Sequence, residues 1–279
     1  MNFFQNIKNS FYNPVFYATL PSKTLGFSFK YFFSLIAILA FLTAFVLGSR
    51  LSPLFSAENL KKLAMLYPSE LVLTVNGGAV STNVAEPYTV KNFEGLDNFG
   101  YANFVVIDTK SDFSSELFKK YDTSILVGKN FIVTVKNQNQ FQYNDLTKVP
   151  NFTLNQDLLL HWANVIGSYH LALSLGLFVI LFFAFMVFFS VKLLWFLVLA
   201  LIILLLAKLQ KVSLSYKDSY KFALQASTAP FMVEAIFIMI GVAMPIPFLL
   251  SLVLLLIAFV NMDKLQTTVI LPPQPTLLK

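Results

Sequence analysis

The chain has 279 residues, 57% hydrophobic and only 12% charged, with a mean hydropathy of +0.69. A soluble domain carries roughly 25% charged residues, so this composition excludes a chain surrounded by water on all sides. The net charge is +6, and the absence of cysteine excludes disulfides, thiol catalysis, thiolate metal sites and iron–sulfur ligation together.

The charges are unevenly placed. From Arg50 to Trp162 there are 10 basic and 11 acidic residues, whereas the other 166 residues carry 10 basic and 3 acidic ones. Two compositions in one chain imply two solvents. The excess lysines flank apolar runs, where they suit an anionic lipid surface, and no basic groove interleaved with aromatics is present. The expected partners are the lipid bilayer and another membrane or envelope protein, not a nucleic acid.

Residues 1–30 form a basic arm with Lys8, Lys23, Lys30 and no acid. Phe3, Phe4, Ile7 and Phe11 fall on one stripe of a short helix that the Asn13-Pro14 step should end. Two readings stay open: a helix lying in the lipid headgroups, or one packed on the bundle. Tyr31 to Gly48 is an uncharged run of 18 residues. As a helix it spans about 27 Å, close to a bilayer core of about 30 Å. It is expected to be an uncleaved anchor, since the arm is long for a signal peptide and no A-x-A site follows.

From Ser49 to Asp157 the pattern is that of a small α+β domain. Ser56 can cap a helix over Ala57 to Leu66 that Pro68 stops. Leu71, Leu73 and Val75 alternate up to Asn76-Gly77, a two-residue hairpin signal, with Val80 to Val84 returning. Phe104 to Ile107 reads as a buried strand and Ser114 to Tyr121 as a short helix. Further strands are expected at Ile125 to Val127, Phe131 to Val135 and Phe141 to Tyr143, the last two joined through Asn137-Gln138-Asn139-Gln140.

Apolar segments follow at Leu171 to Val191, Leu193 to Ala207, Ala226 to Val242 and Phe248 to Val260. Met244-Pro245-Ile246-Pro247 should divide the last two, and Pro272-Pro273-Gln274-Pro275 points to an extended tail. If the arm, the four lysines of Lys208 to Lys221 and the tail all face the cytoplasm, the positive-inside rule holds throughout. Segment length opposes that count, because Leu171 to Ala207 is 37 residues broken only by Lys192. Yet no Gly, Pro, Asn or Asp lies between Phe178 and Lys217 to make a turn, which favours one long helix.

The predicted architecture is an α-helical integral membrane protein of four or five transmembrane helices with an inserted small α+β extracytoplasmic domain. Its parts are the arm 1–30, a transmembrane helix at 31–48 and the polar domain 49–157. A helical bundle at 158–260 follows, with a lysine-rich cytoplasmic loop 208–221, and then a tail at 261–279.

Chemistry has few places to sit. Glu234 lies mid-way in an apolar segment, where an ionisable residue is costly and marks a candidate site. Lys192 is the other ionisable side chain inside an apolar segment, so Glu234 and Lys192 can form an intramembrane ion pair or a proton or ion relay. The plain alternatives are a structural bridge or a snorkelling lysine. His161 and His170 are about 180° apart on a helix and suit an interfacial belt beside Trp162 and Tyr169 better than a shared metal. Ile107-Asp108-Thr109 superficially resembles the start of a phosphotransferase site, but the partners of that chemistry are missing and an Asx-type turn fits Asp108 better. Asn151-Phe152-Thr153 is a glycosylation sequon, meaningful only in a eukaryotic lumen. There is no G-x-S-x-G, H-E-x-x-H or Walker loop, and neither a catalytic residue, a metal nor a cofactor is expected.

Several short motifs occur in order: Phe11-Tyr12-Asn13-Pro14, Tyr67-Pro68, Val75-Asn76-Gly77, Glu86-Pro87-Tyr88, Val106-Ile107-Asp108-Thr109, Ser215-Tyr216-Lys217 and Ala229-Pro230. In these the chain resembles the bacterial membrane family known as domain of unknown function 1189. The Tyr216 to Pro230 stretch is also similar, more loosely, to Yip-type membrane proteins. The first resemblance implies a bacterial envelope protein of the inner membrane with no catalytic residue to transfer, and a maltodextrin-utilisation label in some relatives points to transport accessories. The second implies a membrane organiser. The expected function is non-enzymatic recognition of a partner or ligand by the outer domain. A small-molecule transporter or accessory subunit using Glu234 comes second, and a membrane enzyme third.

Overall fold

The computed structural model describes residues 2–92, 100–137, 140–242 and 248–262. In chain order the elements begin with α1 (Phe3–Phe11), α2 (Pro14–Thr19), α3 (Leu25–Leu51) and α4 (Ala57–Ala64). Then come β1 (Leu73–Asn76), β2 (Ala79–Thr82), β3 (Tyr88–Lys91), β4 (Asn103–Ile107), α5 (Ser115–Tyr121) and β5 (Thr123–Val127). They continue as β6 (Phe131–Asn137), β7 (Gln140–Asp145), β8 (Phe152–Leu154) and α6 (Gln156–Ser168). The last four are α7 (His170–Leu209), α8 (Tyr216–Ala226), α9 (Thr228–Ile240) and α10 (Leu249–Val260). Two compact units result: Pro53–His170, and a helical unit built from the segments before and after it.

In the helical unit, Thr24 caps α3 by accepting a hydrogen bond from the Phe27 amide at 3.2 Å. α3 and α7 run antiparallel: Phe32 lies beside Phe196, Phe41 beside Phe178, and the Ser52 and Ser174 hydroxyls are 2.6 Å apart. The stretch Leu171 to Ala207 lies within one unbroken 40-residue helix, and no turn forms at Lys192. Such a helix is about 60 Å long. Its outward side chains, among them Leu171, Ile180, Phe183, Val187 and Leu194, are large, apolar and more than half exposed. An apolar helix with that much uncovered surface fits lipid, not water.

Among the described residues, three helical stretches are long and apolar enough to cross a membrane: Leu25–Phe55, His170–Leu209 and Tyr216–Ile240. The expected count was four or five. α10 is a further apolar helix, whose 12 described residues span about 18 Å against a core of about 30 Å. The expected turn at Met244 to Pro247, residues 138 and 139 of the β6–β7 turn, and the tail from 263 onward lie outside the described residues. The expected segment Ala226 to Val242 corresponds to α9, Thr228–Ile240, which follows α8 after a break at Ser227. Pro230 has no amide to offer the Ala226 carbonyl, which places the break there.

The Pro53–His170 unit holds two sheets. One is antiparallel with strand order β2-β1-β8, and the other has the order β3-β4-β5-β6-β7. In the larger sheet only the β4–β5 pair is parallel, joined by the crossover through α5, which Ser114 caps. The hairpin falls one residue later than expected. Asn76 pairs with Ala79, so the two turn residues are Gly77 and Gly78, with φ of +56° and +80°. A two-residue turn with both φ positive is best served by two glycines. Gly78 has a second reason, since a Cβ there would lie 2.8 Å from the Leu146 carbonyl oxygen. β3 and β8 were not expected. Each is short and acquires its strand character from a partner, β4 for one and β1 for the other.

α5 covers one face of the larger sheet, where Val106, Phe118, Leu126, Phe131 and Val133 form a core. A second core gathers Leu71, Val75, Val80, Ile107, Val127 and Leu146 on the other side. The helix pair α4 and α6 packs closely, with no room for a side chain at Gly167, whose Cβ would meet Ala57 at 2.5 Å.

Candidate functional site

The structure brings Lys192 and Glu234 together. The Lys192 ammonium donates to both Glu234 carboxylate oxygens, with the two side chains 27% and 15% exposed. Lys192 comes from α7 and Glu234 from α9, one helical turn beyond Pro230. Aromatic faces complete the surroundings of the ammonium, with ring centroids at 4.9 Å for Phe188, 6.0 Å for Phe189 and 5.3 Å for Phe231. Such contacts favour a cation held away from water. The pair lines a cavity of about 270 Å³, together with Trp195, Phe248 and Ser251. The Trp195 indole N–H donates to the Ser251 hydroxyl at 3.0 Å, which ties α10 to α7 across it. Chemically, the pair is a neutral unit with one strong donor and one strong acceptor already turned on each other.

Asp108 closes an Asx-type turn. Its Oδ1 accepts from the amides of Lys110 and Ser111 at 3.1 and 3.2 Å, and its Oδ2 accepts from the Tyr121 hydroxyl at 2.7 Å. Burial alone would raise the Asp108 pKa, but hydrogen bonds from Ser111, Tyr121 and Lys110 hold it below the usual value. Burial and the bond to Asp108 push the Tyr121 pKa up to about 12. A carboxylate with its lone pairs so engaged is a brace, not a free base. Because its folded pKa is lowered, its contribution is complete above the unfolded value near 3.9 and is lost as pH falls below it. Asp108→Asn should therefore flatten the decline in melting temperature of the full chain below about pH 4. An acid limb identical to that of the native chain would refute this.

The motifs singled out in sequence meet in space. The Glu86 carboxylate accepts from the Thr109 amide at 2.6 Å and from its hydroxyl at 2.9 Å, joining Glu86-Pro87-Tyr88 to Val106-Ile107-Asp108-Thr109. The Tyr88 hydroxyl donates to Glu70 at 2.6 Å, and this bond pushes the Tyr88 pKa up to about 12. The Tyr67 hydroxyl donates to the Leu154 carbonyl at 3.2 Å. Asn151, the sequon residue, accepts from the Gly77 amide at 2.8 Å and so braces the hairpin. In the helical unit Asn13 caps α2, and its amide donates to Asn261 at 2.7 Å. Ser215 caps α8 in a capping box with Asp218.

A family model described as "Protein of unknown function (DUF1189)" matches residues 4–262. The chain belongs to that family. No curated protein and no solved structure matches it, and nothing in the comparisons extends to Yip-type proteins. In this DUF1189 chain the motifs named from the sequence hold turns, caps and strand ends, so they account for the fold before any chemistry. His161 lies on α6 and His170 opens α7. Among the described residues no three His, Cys, Asp or Glu side chains are grouped to hold a metal.

Two features had not been anticipated. Lys221, counted from sequence as a charge of the 208–221 loop, lies on α8 with its side chain 2% exposed. Its ammonium donates to the carbonyls of Leu20, Pro21 and Lys23 at 2.9 Å each and pairs with Asp218 at 2.7 Å. Only the spacing of Asp218 and Lys221 hinted at it. The other is a cavity of about 530 Å³ between the larger sheet and the α4–α6 pair. The sheet face contributes Val90, Val105, Ile107, Ile125, Val127 and Ile132, and Leu63, Leu66 and Leu159 form the helical wall. Its volume falls within the roughly 300–1,000 Å³ of small-molecule pockets.

Proposed function

We propose that this DUF1189 chain is a non-enzymatic, multi-pass protein of the bacterial inner membrane whose polar unit binds a ligand or partner outside the cytoplasm. The apolar helices anchor it. The observation that carries the reading is the cavity of about 530 Å³ in the Pro53–His170 unit. The ionisable pair of the helical unit, by contrast, is closed on itself.

The arm supports a lipid environment in a particular way. α1 buries Asn6 and Ser10, the Ser10 hydroxyl donating to Gln225 at 3.0 Å, while Phe4, Phe11, Tyr12 and Val15 stay exposed. A helix that turns Asn6 and Ser10 inward and Phe4 and Phe11 outward fits a headgroup layer. In the proposed topology α3, α7, the α8–α9 stretch and α10 each pass through or into the bilayer. Lys221 is buried, so Lys208, Lys211 and Lys217 carry the cytoplasmic charge of that loop.

The chain has no cysteine, so single reporters can be placed cleanly. With a membrane-impermeant maleimide, Asn76→Cys at the hairpin should label in cells whose inner membrane is intact. Lys208→Cys should label only after that membrane is opened. The reverse pattern would sink the orientation.

A second reading, a small-molecule transporter or an accessory subunit of one, draws on the cavity of about 270 Å³ that Lys192 and Glu234 line. A solute flux that depends on Glu234 would favour it.

A further inference from the structure

We infer that the cavity between the larger sheet and the α4–α6 pair takes the straight alkyl chain of a lipid. This rests on the reading of the Pro53–His170 unit as a binding domain, and adds the chemical class of its ligand. Helix-on-sheet layers normally pack to crystal-like density. Here they leave about 530 Å³, and Val105, Ile125 and Ile132 remain partly exposed although they sit on an inner face.

The lining selects the occupant. It is mostly aliphatic with two aromatic rings, Phe104 and Tyr67, holds no charged side chain, and its one hydroxyl, that of Tyr67, is engaged by the Leu154 carbonyl. A ligand with polar groups along its buried length would leave them unpaired at a cost of a few kcal/mol each. A methylene chain has none to lose. With no cation in the lining, a headgroup or carboxylate has no partner inside, so the chain enters methyl end first and its polar end stays at the mouth.

The mouth fits that direction of entry. Leu63 of α4 and Leu66 just past its end line the cavity and are 59% and 43% exposed, and Met65 between them is exposed as well. These side chains extend the apolar lining outwards, where a water-borne polar ligand would find no welcome. The helices walling the cavity are also those by which the chain enters and leaves the unit. Only residues 52–56 separate α3 from α4, and only Tyr169 separates α6 from α7.

The test uses the full chain in vesicles of phosphatidylethanolamine and phosphatidylglycerol. Three photoreactive probes are added in separate arms: a phospholipid with a diazirine on its acyl chain, a diazirine-bearing palmitic acid, and a compact apolar aryl diazirine. Labelled peptides are then mapped. The phospholipid or the fatty acid should label β4 and β5 around Val105 and Ile125, and whichever does so identifies the source of the chain. Leu63→Glu at the mouth and Val105→Phe at the floor should each reduce that labelling about tenfold, equivalent to about 1.4 kcal/mol. Labelling of α3 and α7 should stay unchanged, which reports that the variants remain folded and inserted.

Label on β4 and β5 from neither alkyl probe, or alkyl label indifferent to both substitutions, overturns the inference. If the compact probe alone reaches β4 and β5, the unit still binds an apolar ligand and only the alkyl assignment falls. If no probe reaches them, the reading of the unit as a binding domain through this cavity falls with it.

Discussion

Lys221→Met is expected to lower the stability of the detergent-solubilised chain by about 3–5 kcal/mol, the usual cost of breaking a buried ion pair by removing one partner. For a chain of this size that is a fall in melting temperature of roughly 10 °C. The ammonium serves four oxygens at once: the carbonyls of Leu20, Pro21 and Lys23 and the carboxylate of Asp218. Methionine fills much of the same space but donates nothing, so the Pro21 and Lys23 carbonyls at the turn before α3 lose this donor, while Leu20 keeps only its bond from the Lys23 amide. Lys221→Arg should not rescue, because a planar fork cannot direct its donors to three carbonyls around one point. Asp218→Asn should cost less, since Ser215 still caps the first turn of α8. A Lys221→Met chain that melts within a degree of the native one would show that these contacts do not hold the turn.

Lys221 also shows why parts of the fold were hidden in the sequence. Its partners Leu20 and Pro21 lie about two hundred positions away, so no local pattern distinguishes it from a solvated loop lysine. What local rules govern was readable. Ser56 and Ser114 announce α4 and α5 through their caps, and the aromatic and β-branched run Phe131 to Val135 announces β6. The lack of any turn former across Lys192 corresponds to the unbroken α7. β8 was not readable, because three residues carry no period and their pairing to β1 spans the whole unit. In the site, a lone acid and a lone lysine stand out against apolar runs, so Lys192 and Glu234 were visible as a candidate pair. The larger cavity was invisible, because alternate residues of β3 to β6 build it with helices that come from opposite ends of the unit.

The pair at Lys192 and Glu234 predicts an asymmetric response to substitution. Removing one partner of a poorly solvated ion pair strands the other, so each single neutralisation should destabilise, here by about 1–3 kcal/mol given the partial exposure. Lys192→Met should be the more costly of the two. It leaves a carboxylate without its cation in a largely apolar cavity, whereas Glu234→Gln leaves an ammonium among rings that attract it. The double variant Lys192→Met/Glu234→Met removes both charges into apolar volume and should melt close to the native chain or above it. The coupling read from this cycle of four melting temperatures is thus expected to be large and favourable. If the singles and the double are additive, the contact contributes nothing specific. The same variants separate the two functional readings, because a bridge that only fixes the register of α7 on α9 makes function follow stability through the whole set. A pathway group behaves otherwise. If the double variant keeps its melting temperature but abolishes a solute flux that the native chain supports, the pair belongs to transport and the cavity beside it is the route.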